Sequence, residues 1–137
     1  MPHLAFHLDF APPPVERQRF AAAVVRHFAE AMDTGTDHIG VSIAIHPRGD
    51  LVFGRAELPE RGIAFLDADI RLGRTREQKR RFSLAVMAEL ERSLGVPQRN
   101  VYVVFTEHDG ENFHMDDRVL PSWAPGEDPL AGNGEAP

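Results

Sequence analysis

The chain of 137 residues is 42% hydrophobic and 26% charged, with a formal net charge of -6, which fits one soluble globular domain with a modest core. The acidic balance argues against a nucleic-acid surface, and the lack of cysteine excludes disulfides, thiolate catalysis and a cysteine metal site. Because there is no signal-peptide pattern and no long apolar run, we expect a cytoplasmic protein that does not enter a membrane.

Residues 2–46 predict a strand, a helix and a second strand. Leu4, Phe6, Leu8 and Phe10 alternate with more polar residues, as in a strand with one buried face. The helix is expected to follow the three consecutive prolines at 12–14. Apolar residues recur every four positions over 20–32, and Gly35 is expected to end the helix. Alternation over 39–45 predicts the second strand.

The same order returns in residues 63–108, after a connector over 47–62 that contains a turn and a candidate short strand at 51–53. Residues 64–72 alternate, and Thr75 with Gln78 forms the pattern of a capping box. A helical stripe over 82–94 stops at Gly95 and Pro97, and alternation over 101–105 predicts the last strand. Residues 109–121 are interpreted as a C-terminal arm of the same domain, and 122–137 as a disordered tail.

A shift of 62 residues superposes the two halves and preserves both strand alternation and helix phase. It places Leu4 on Leu66, Phe20 on Phe82 and His46 on His108. The sequence therefore predicts a tandem βαβ repeat of the α+β class: a four-stranded mixed sheet with two helices on one face. The opposite face needs cover, which oligomerisation would supply.

Pro2 stands directly before the first strand. If the initiator methionine is removed, its nitrogen becomes a secondary amine at the edge of the core. An α-amino group titrates at about 7.7–8.0 and lower when buried or beside cations, so a neutral Pro2 nitrogen suits a general base or a nucleophile. The alternative is that Pro2 only begins an edge strand, where its missing N–H does no harm.

These features together resemble the tautomerase superfamily. The resemblance rests on Pro2, the duplication, the segment LGRTREQK at 72–79, and VVFTE at 103–107 followed by Asn112 and Phe113. The second half resembles 4-oxalocrotonate tautomerase, and the duplicated length resembles cis-3-chloroacrylic acid dehalogenase and malonate semialdehyde decarboxylase. The resemblance implies a tautomerase or MIF-like β-α-β fold, a homotrimer, and a catalytic proline that needs no cofactor.

The resemblance also assigns candidate roles at the start of the chain and at the second strand–helix junction. Pro2 is the catalytic base or acid, and Arg71 and Arg74 match the arginines that hold a substrate carboxylate. Independently of the resemblance, Arg71 shares a strand face with two aspartates, and Arg74 precedes a helix, where a guanidinium fork suits a carboxylate. The alternative is that both arginines pair with acidic groups on the surface.

Three more residues enter through the resemblance. Phe113 matches an aromatic wall of the substrate site, or else belongs to the core. Asp37 matches the acid of the decarboxylase branch, or else caps a turn. Tyr102 stands where the short tautomerase has a carboxylate-binding arginine. The set of groups that cis-3-chloroacrylic acid dehalogenase uses for hydration is incomplete here. Glu30, Val104 and Met115 stand near the positions of its histidine, its tyrosine and its water-activating glutamate.

We therefore expect an isomerase that moves a proton between the keto and enol forms of a small 2-oxo carboxylate. The alternatives are a hydratase, dehalogenase or decarboxylase of small acids, and a non-catalytic trimeric binding module. No metal is expected, since His3 and His7 share a strand face but lie about 13 Å apart along it, too far for one ion.

Overall fold

The computed structural model describes residues 2–116, 118–120 and 123–125. In this part of the chain the helices are α1, Pro14–Met32, and α2, Arg76–Leu94. The strands are β1 (His3–Leu8), β2 (Gly40–Ile45), β3 (Ala64–Arg71), β4 (Val101–His108), β5 (His114–Met115) and β6 (Arg118–Val119). The predicted disordered tail falls almost wholly outside the described residues.

The main sheet has the strand order β2-β1-β3-β4. Strands β1 and β2 are parallel, β3 and β4 are parallel, and β1 runs antiparallel to β3 at the centre. Both helices pack on one face over a core that includes Phe6, Phe20, Phe28, Phe82 and Leu66. The predicted mixed sheet with two helices on one face is confirmed.

The helices show how closely the two halves correspond, because α1 and α2 begin and end 62 residues apart. His27 and Glu89 are also 62 residues apart, and they meet where the helices cross, with His27 Nε2 2.8 Å from Glu89 Oε1. A contact between equivalent positions marks a local two-fold axis. Burial raises the pKa of Glu89, but hydrogen bonds from Ser93, His27 and Arg92 outweigh it and hold the pKa below its usual range.

Local signals at the ends of α2 are confirmed. The Thr75 hydroxyl accepts a hydrogen bond from the Gln78 backbone N–H, and the Gln78 side chain accepts one from the Thr75 N–H. Gly95 caps the C-terminus in the left-handed conformation, with φ 73°. These short motifs act through neighbouring backbone groups, which is why the sequence alone is enough to identify them.

Two local predictions were wrong. Helix α1 ends at Met32 with Asp33, at φ 50°, as its C-cap, so Gly35 does not terminate it. The segment 51–53 is not a strand. Phe53 instead packs against the sheet through its side chain, since its ring meets the rings of Phe65 and Tyr102 edge to face at 5.9 and 5.6 Å. The short β5–β6 hairpin had no signal in the sequence.

The sheet face opposite the helices is open. It holds a cavity of about 490 Å³ with mainly apolar walls. Its lining residues are His7, Leu51, Val52, Phe53, Phe65, Asp67 and Tyr102. Beside it, His7 Nδ1 lies 3.0 Å from His46 Nε2, and His7 Nε2 lies 3.4 Å from Asp67 Oδ2. Among the described residues, no helix is both long and apolar enough to cross a membrane.

Candidate active site

The strand directions gather the candidate residues at one end of the sheet. The first residues of β1 and β2 meet the last residues of β3 and β4, because β1 and β2 run opposite to β3 and β4. We call this edge, with Pro2, Gly40, Arg71 and His108, the Pro2 end. The chain enters α2 from here, and the C-terminal arm begins here after β4.

Pro2 is buried at the centre of this end. Its carbonyl accepts a hydrogen bond of 3.0 Å from the Gly40 N–H, and it directly precedes His3, which pairs with Asp69 of β3. The antiparallel register therefore carries Pro2 toward the last residues of β3. The sheet therefore fixes the backbone of Pro2 at the edge of the core.

Arg71 and Arg74 bring two cations into the same region. Arg71, the last residue of β3, is fully buried, and Arg74 is only 6% exposed. Burial lowers the pKa of Arg71 to about 10. Burial, and then the charge of Arg71, lowers the pKa of Arg74 to about 9. Each guanidinium is therefore short of solvent, and the two are close enough to repel each other.

The Arg74 guanidinium is packed but incompletely hydrogen-bonded. Its Cζ lies 4.8 Å from the ring centroid of Trp123 and 5.8 Å from that of Phe28. Its Nε and Nη2 are buried and meet no hydrogen-bond acceptor among the described residues. Aromatic faces stabilise the cation but leave these two N–H groups without an acceptor, and a carboxylate is one group that would supply it.

Two of the backbone donors at the start of helix α2 are already used. The N–H groups of Thr75 and Gln78 are already bonded within the capping box. The arginine side chains add a fork of donors that matches the two oxygens of a carboxylate.

The C-terminal arm closes the Pro2 end from the β4 side. Phe113 is nearly buried, and its ring lies edge-on to that of His108 at 5.7 Å. The Phe113 carbonyl accepts a 3.2 Å bond from the Leu120 N–H, and the Trp123 N–H donates to the Leu72 carbonyl at 3.4 Å. Phe113 is therefore near the arginines, and Trp123 packs two residues beyond the boundary predicted at 121.

Asp37 also lies at the Pro2 end, in the turn before β2, but its side chain is exposed. The buried titratable group of this turn is its neighbour His38, which is 3% exposed and has Nε2 3.3 Å from Thr34 Oγ1. Sequence reasoning did not select His38. The only signal was its adjacency to Asp37, and the alternation that marks buried residues does not extend into a turn.

The structure does not bring Tyr102 to the other candidates within one chain. Tyr102 pairs with Phe65, near the start of β3, whereas Arg71 is the last residue of that strand. At about 3.3 Å per residue, the two lie about 20 Å apart along the sheet. Tyr102 is half exposed and borders the cavity on the open face. Within the described residues no cluster of three or more His, Asp or Glu side chains is placed to hold a metal ion.

Comparison with known proteins connects this geometry to a family. Residues 59–115 match the family model described as tautomerase enzyme. The tautomerase match contains Arg71, Arg74, Tyr102 and Phe113, and it begins after Pro2 and Asp37. It confirms the resemblance to the tautomerase superfamily that the sequence suggested. No curated protein sequence matches the chain significantly.

Several solved structures share the fold over most of the chain. Macrophage migration inhibitory factor from Toxoplasma gondii is 21% identical, with a TM-score of 0.74 over 86% of this chain and 99% of its own. A fused 4-OT, solved as an asymmetric trimer, is 14% identical, with a TM-score of 0.73 over 85% and 94% of the two chains. A malonate semialdehyde decarboxylase is 20% identical, with a TM-score of 0.71 over 82% and 89%. Similarity at this identity establishes the tautomerase fold and leaves the reaction to the residues of the site.

Proposed function

We propose that this protein is a tautomerase that interconverts the enol and keto forms of a small 2-oxo carboxylate, with the Pro2 amine as the proton carrier. The observation that carries the proposal is the buried pair Arg71 and Arg74 at the same sheet end as Pro2, with Arg74 donors that lack an acceptor. A substrate carboxylate supplies the acceptor and the negative charge.

In the proposed reaction the neutral Pro2 nitrogen removes the proton of the enol hydroxyl. The electron pair of that O–H bond forms the carbonyl, and the carbon–carbon double bond takes up a proton at its far carbon, returned by protonated Pro2 or by solvent. No net charge or electron is gained or lost. The reaction needs one group that both accepts and donates a proton, which suits an amine with a pKa near neutrality.

The arginines contribute in two ways. They fix the carboxylate so that the reacting carbons face the amine, and positioning of this kind lowers the entropic part of the barrier. They also stabilise the negative charge that spreads into the enolate, in a site with little water. Nearby cations further favour the neutral form of the Pro2 amine, which is the form a base requires.

A panel of three acids tests the reaction type. We expect the chain with free Pro2 to accelerate ketonisation of phenylenolpyruvate and of 2-hydroxymuconate, followed by ultraviolet absorbance. We expect much slower release of chloride from 3-chloroacrylate, because the exposed Asp37 is poorly placed to activate water. Rapid chloride release with slow ketonisation would instead favour the hydratase or dehalogenase alternative, and no turnover of any of them would favour the binding module.

The pH profile of ketonisation should be bell-shaped. As pH rises, kcat/KM should increase when the Pro2 amine loses its proton, at or below the ordinary range of about 8. It should fall again as Arg74, with a pKa of about 9, loses the charge that holds the carboxylate. Bound carboxylate favours protonated Arg74, so the alkaline limb should move to higher pH in kcat, measured at saturation. An alkaline limb that is identical in kcat and kcat/KM would contradict this assignment.

We also propose that the active form is a homotrimer in which neighbouring copies cover the open sheet faces. The exposed Tyr102 and Val104 on that face support it, as does the trimeric fused 4-OT of the same fold. In such an assembly Tyr102 would serve the site of a neighbouring copy. Light scattering would support the proposal by giving the mass of three chains, and a monomer mass would refute it.

A further inference from the structure

Trp123 is the residue in contact with Arg74 whose role is still unaccounted for. It is the one tryptophan of the chain, and its ring covers the Arg74 guanidinium at 4.8 Å. Its backbone N–H donates to the Leu72 carbonyl at 3.4 Å. The arm is therefore held to the junction between β3 and α2 by its backbone as well as by its ring.

Gly73 makes this close seating possible. It has φ 119°, and a Cβ added there would lie 3.0 Å from the Trp123 carbonyl oxygen and 3.4 Å from the indole ring. A side chain at this position would displace the arm or strain the turn. Gly73 therefore permits both the turn before Arg74 and the close contact of the C-terminal arm.

The indole N–H of Trp123 has no visible partner. Its Nε1 is buried and meets no hydrogen-bond acceptor among the described residues. The same is true of Nε and Nη2 of Arg74. Buried N–H groups are normally satisfied. Two side chains in mutual contact that both lack acceptors indicate one shared acceptor, which a carboxylate or a 2-oxo group on a ligand would provide.

We infer that Trp123 is a substrate-binding residue: its indole N–H donates to the substrate carboxylate or the adjacent carbonyl oxygen, while its ring holds the Arg74 guanidinium in place. The nature of the ligand rests on the proposed function. The inference adds a neutral donor and makes the C-terminal arm part of the site. It also sets a size limit, because the indole covers one side of the guanidinium to which the carboxylate must bind.

Intrinsic fluorescence tests the inference on the unmodified protein, because Trp123 is the sole tryptophan. Pyruvate is the probe, and pyruvamide, of similar size but without charge, is the control. We expect a saturable change in tryptophan emission with pyruvate and none with pyruvamide. Saturable binding of pyruvate in calorimetry without any emission change would overturn the inference.

Substitution separates the N–H from the ring. Trp123→Phe keeps an aromatic face over Arg74 and removes the donor, so calorimetry should show pyruvate binding weakened about 10- to 150-fold, as for loss of one hydrogen bond to a charged group. Trp123→Ala should weaken it further. Leu84→Ala, at an exposed position of α2, should leave the dissociation constant unchanged.

Kinetics distinguish this inference from the proposed function. Trp123→Phe should raise KM for phenylenolpyruvate with little change in kcat, whereas a purely structural role would lower the melting temperature and the apparent kcat and leave KM unchanged. Unchanged pyruvate affinity and KM in a folded Trp123→Phe protein would refute the role of Trp123. Weakened pyruvate binding in a protein without ketonisation activity would uphold it and refute the tautomerase proposal instead.

Discussion

Placing one glycine before Pro2 is expected to lower kcat/KM for ketonisation of phenylenolpyruvate by about 10²- to 10⁴-fold, the usual contribution of a general acid or base. In the chain that begins Gly-Pro2, the proline nitrogen is part of a peptide bond and has no basic lone pair. The sheet should tolerate the extension, because Pro2 lies at the start of β1 and its carbonyl bond to Gly40 is unaffected.

The matched control is Pro2→Ala with the preceding methionine removed. It keeps a terminal amine at the same position but replaces a secondary amine with a more mobile primary one. We expect an intermediate loss, about 10- to 100-fold, because the amine remains and only its basicity and placement change. Equal activity in the glycine-extended and native chains, both verified by intact mass, would show that the Pro2 nitrogen is not the proton carrier.

The fold could be predicted because both halves of the sequence carry the same strand–helix–strand pattern. Alternation at period two and the helical stripe recur 62 residues later, so an error in one half would have conflicted with the other. The two helices confirm this, since they begin and end 62 residues apart. The contact between His27 and Glu89 was not visible beforehand, because it depends on how the helices cross and not on either pattern alone.

The site could be predicted only where it lies on regular elements. Pro2, Arg71 and Arg74 occupy a strand start, a strand end and a helix entry, and strand direction is enough to bring them to one end of the sheet. Phe113 required the family resemblance as well. Tyr102 follows the same pattern but lies at the other end of β4, which a position match cannot reveal.

Trp123 could not be found by those methods. The segment from 122 onward has the proline- and glycine-rich composition of a disordered tail, and no periodicity marks its contact with Arg74. What positions Trp123 is a backbone bond to Leu72 and the space left by Gly73, and both depend on the folded junction. In this segment the single aromatic residue was a better guide to local packing than the overall composition, which predicted disorder.

Arg74→Met is expected to make the unliganded protein more stable and to weaken its affinity for carboxylates. Methionine can occupy the space between Trp123 and Phe28 without bringing a buried charge that repels Arg71. Removing an uncompensated buried cation should raise the free energy of unfolding by about 1 kcal/mol or more, after allowing for the lost cation–π contact. Urea denaturation of the native and Arg74→Met proteins near neutral pH measures this difference in the free energy of unfolding.

The same substitution should weaken pyruvate binding by at least about 30-fold, since a charge-assisted bidentate contact is lost. Arg76→Met is the matched control, because Arg76 is exposed in the first turn of α2, and it should change neither quantity appreciably. Lower stability of Arg74→Met with unchanged pyruvate affinity would mean that Arg74 is a structural cation and not part of a substrate site.

The stability gain should also depend on pH in a defined direction. Because burial lowers the pKa of Arg74 to about 9 in the folded protein, the folded chain loses this proton at a pH where the unfolded chain still keeps it. The cost of burying the charge is therefore present in full below pH 9 and declines as the folded protein loses that proton. The advantage of Arg74→Met over the native chain should accordingly be constant at neutral pH and shrink above about pH 9, and a gain that grew with pH would contradict the assignment of the buried charge.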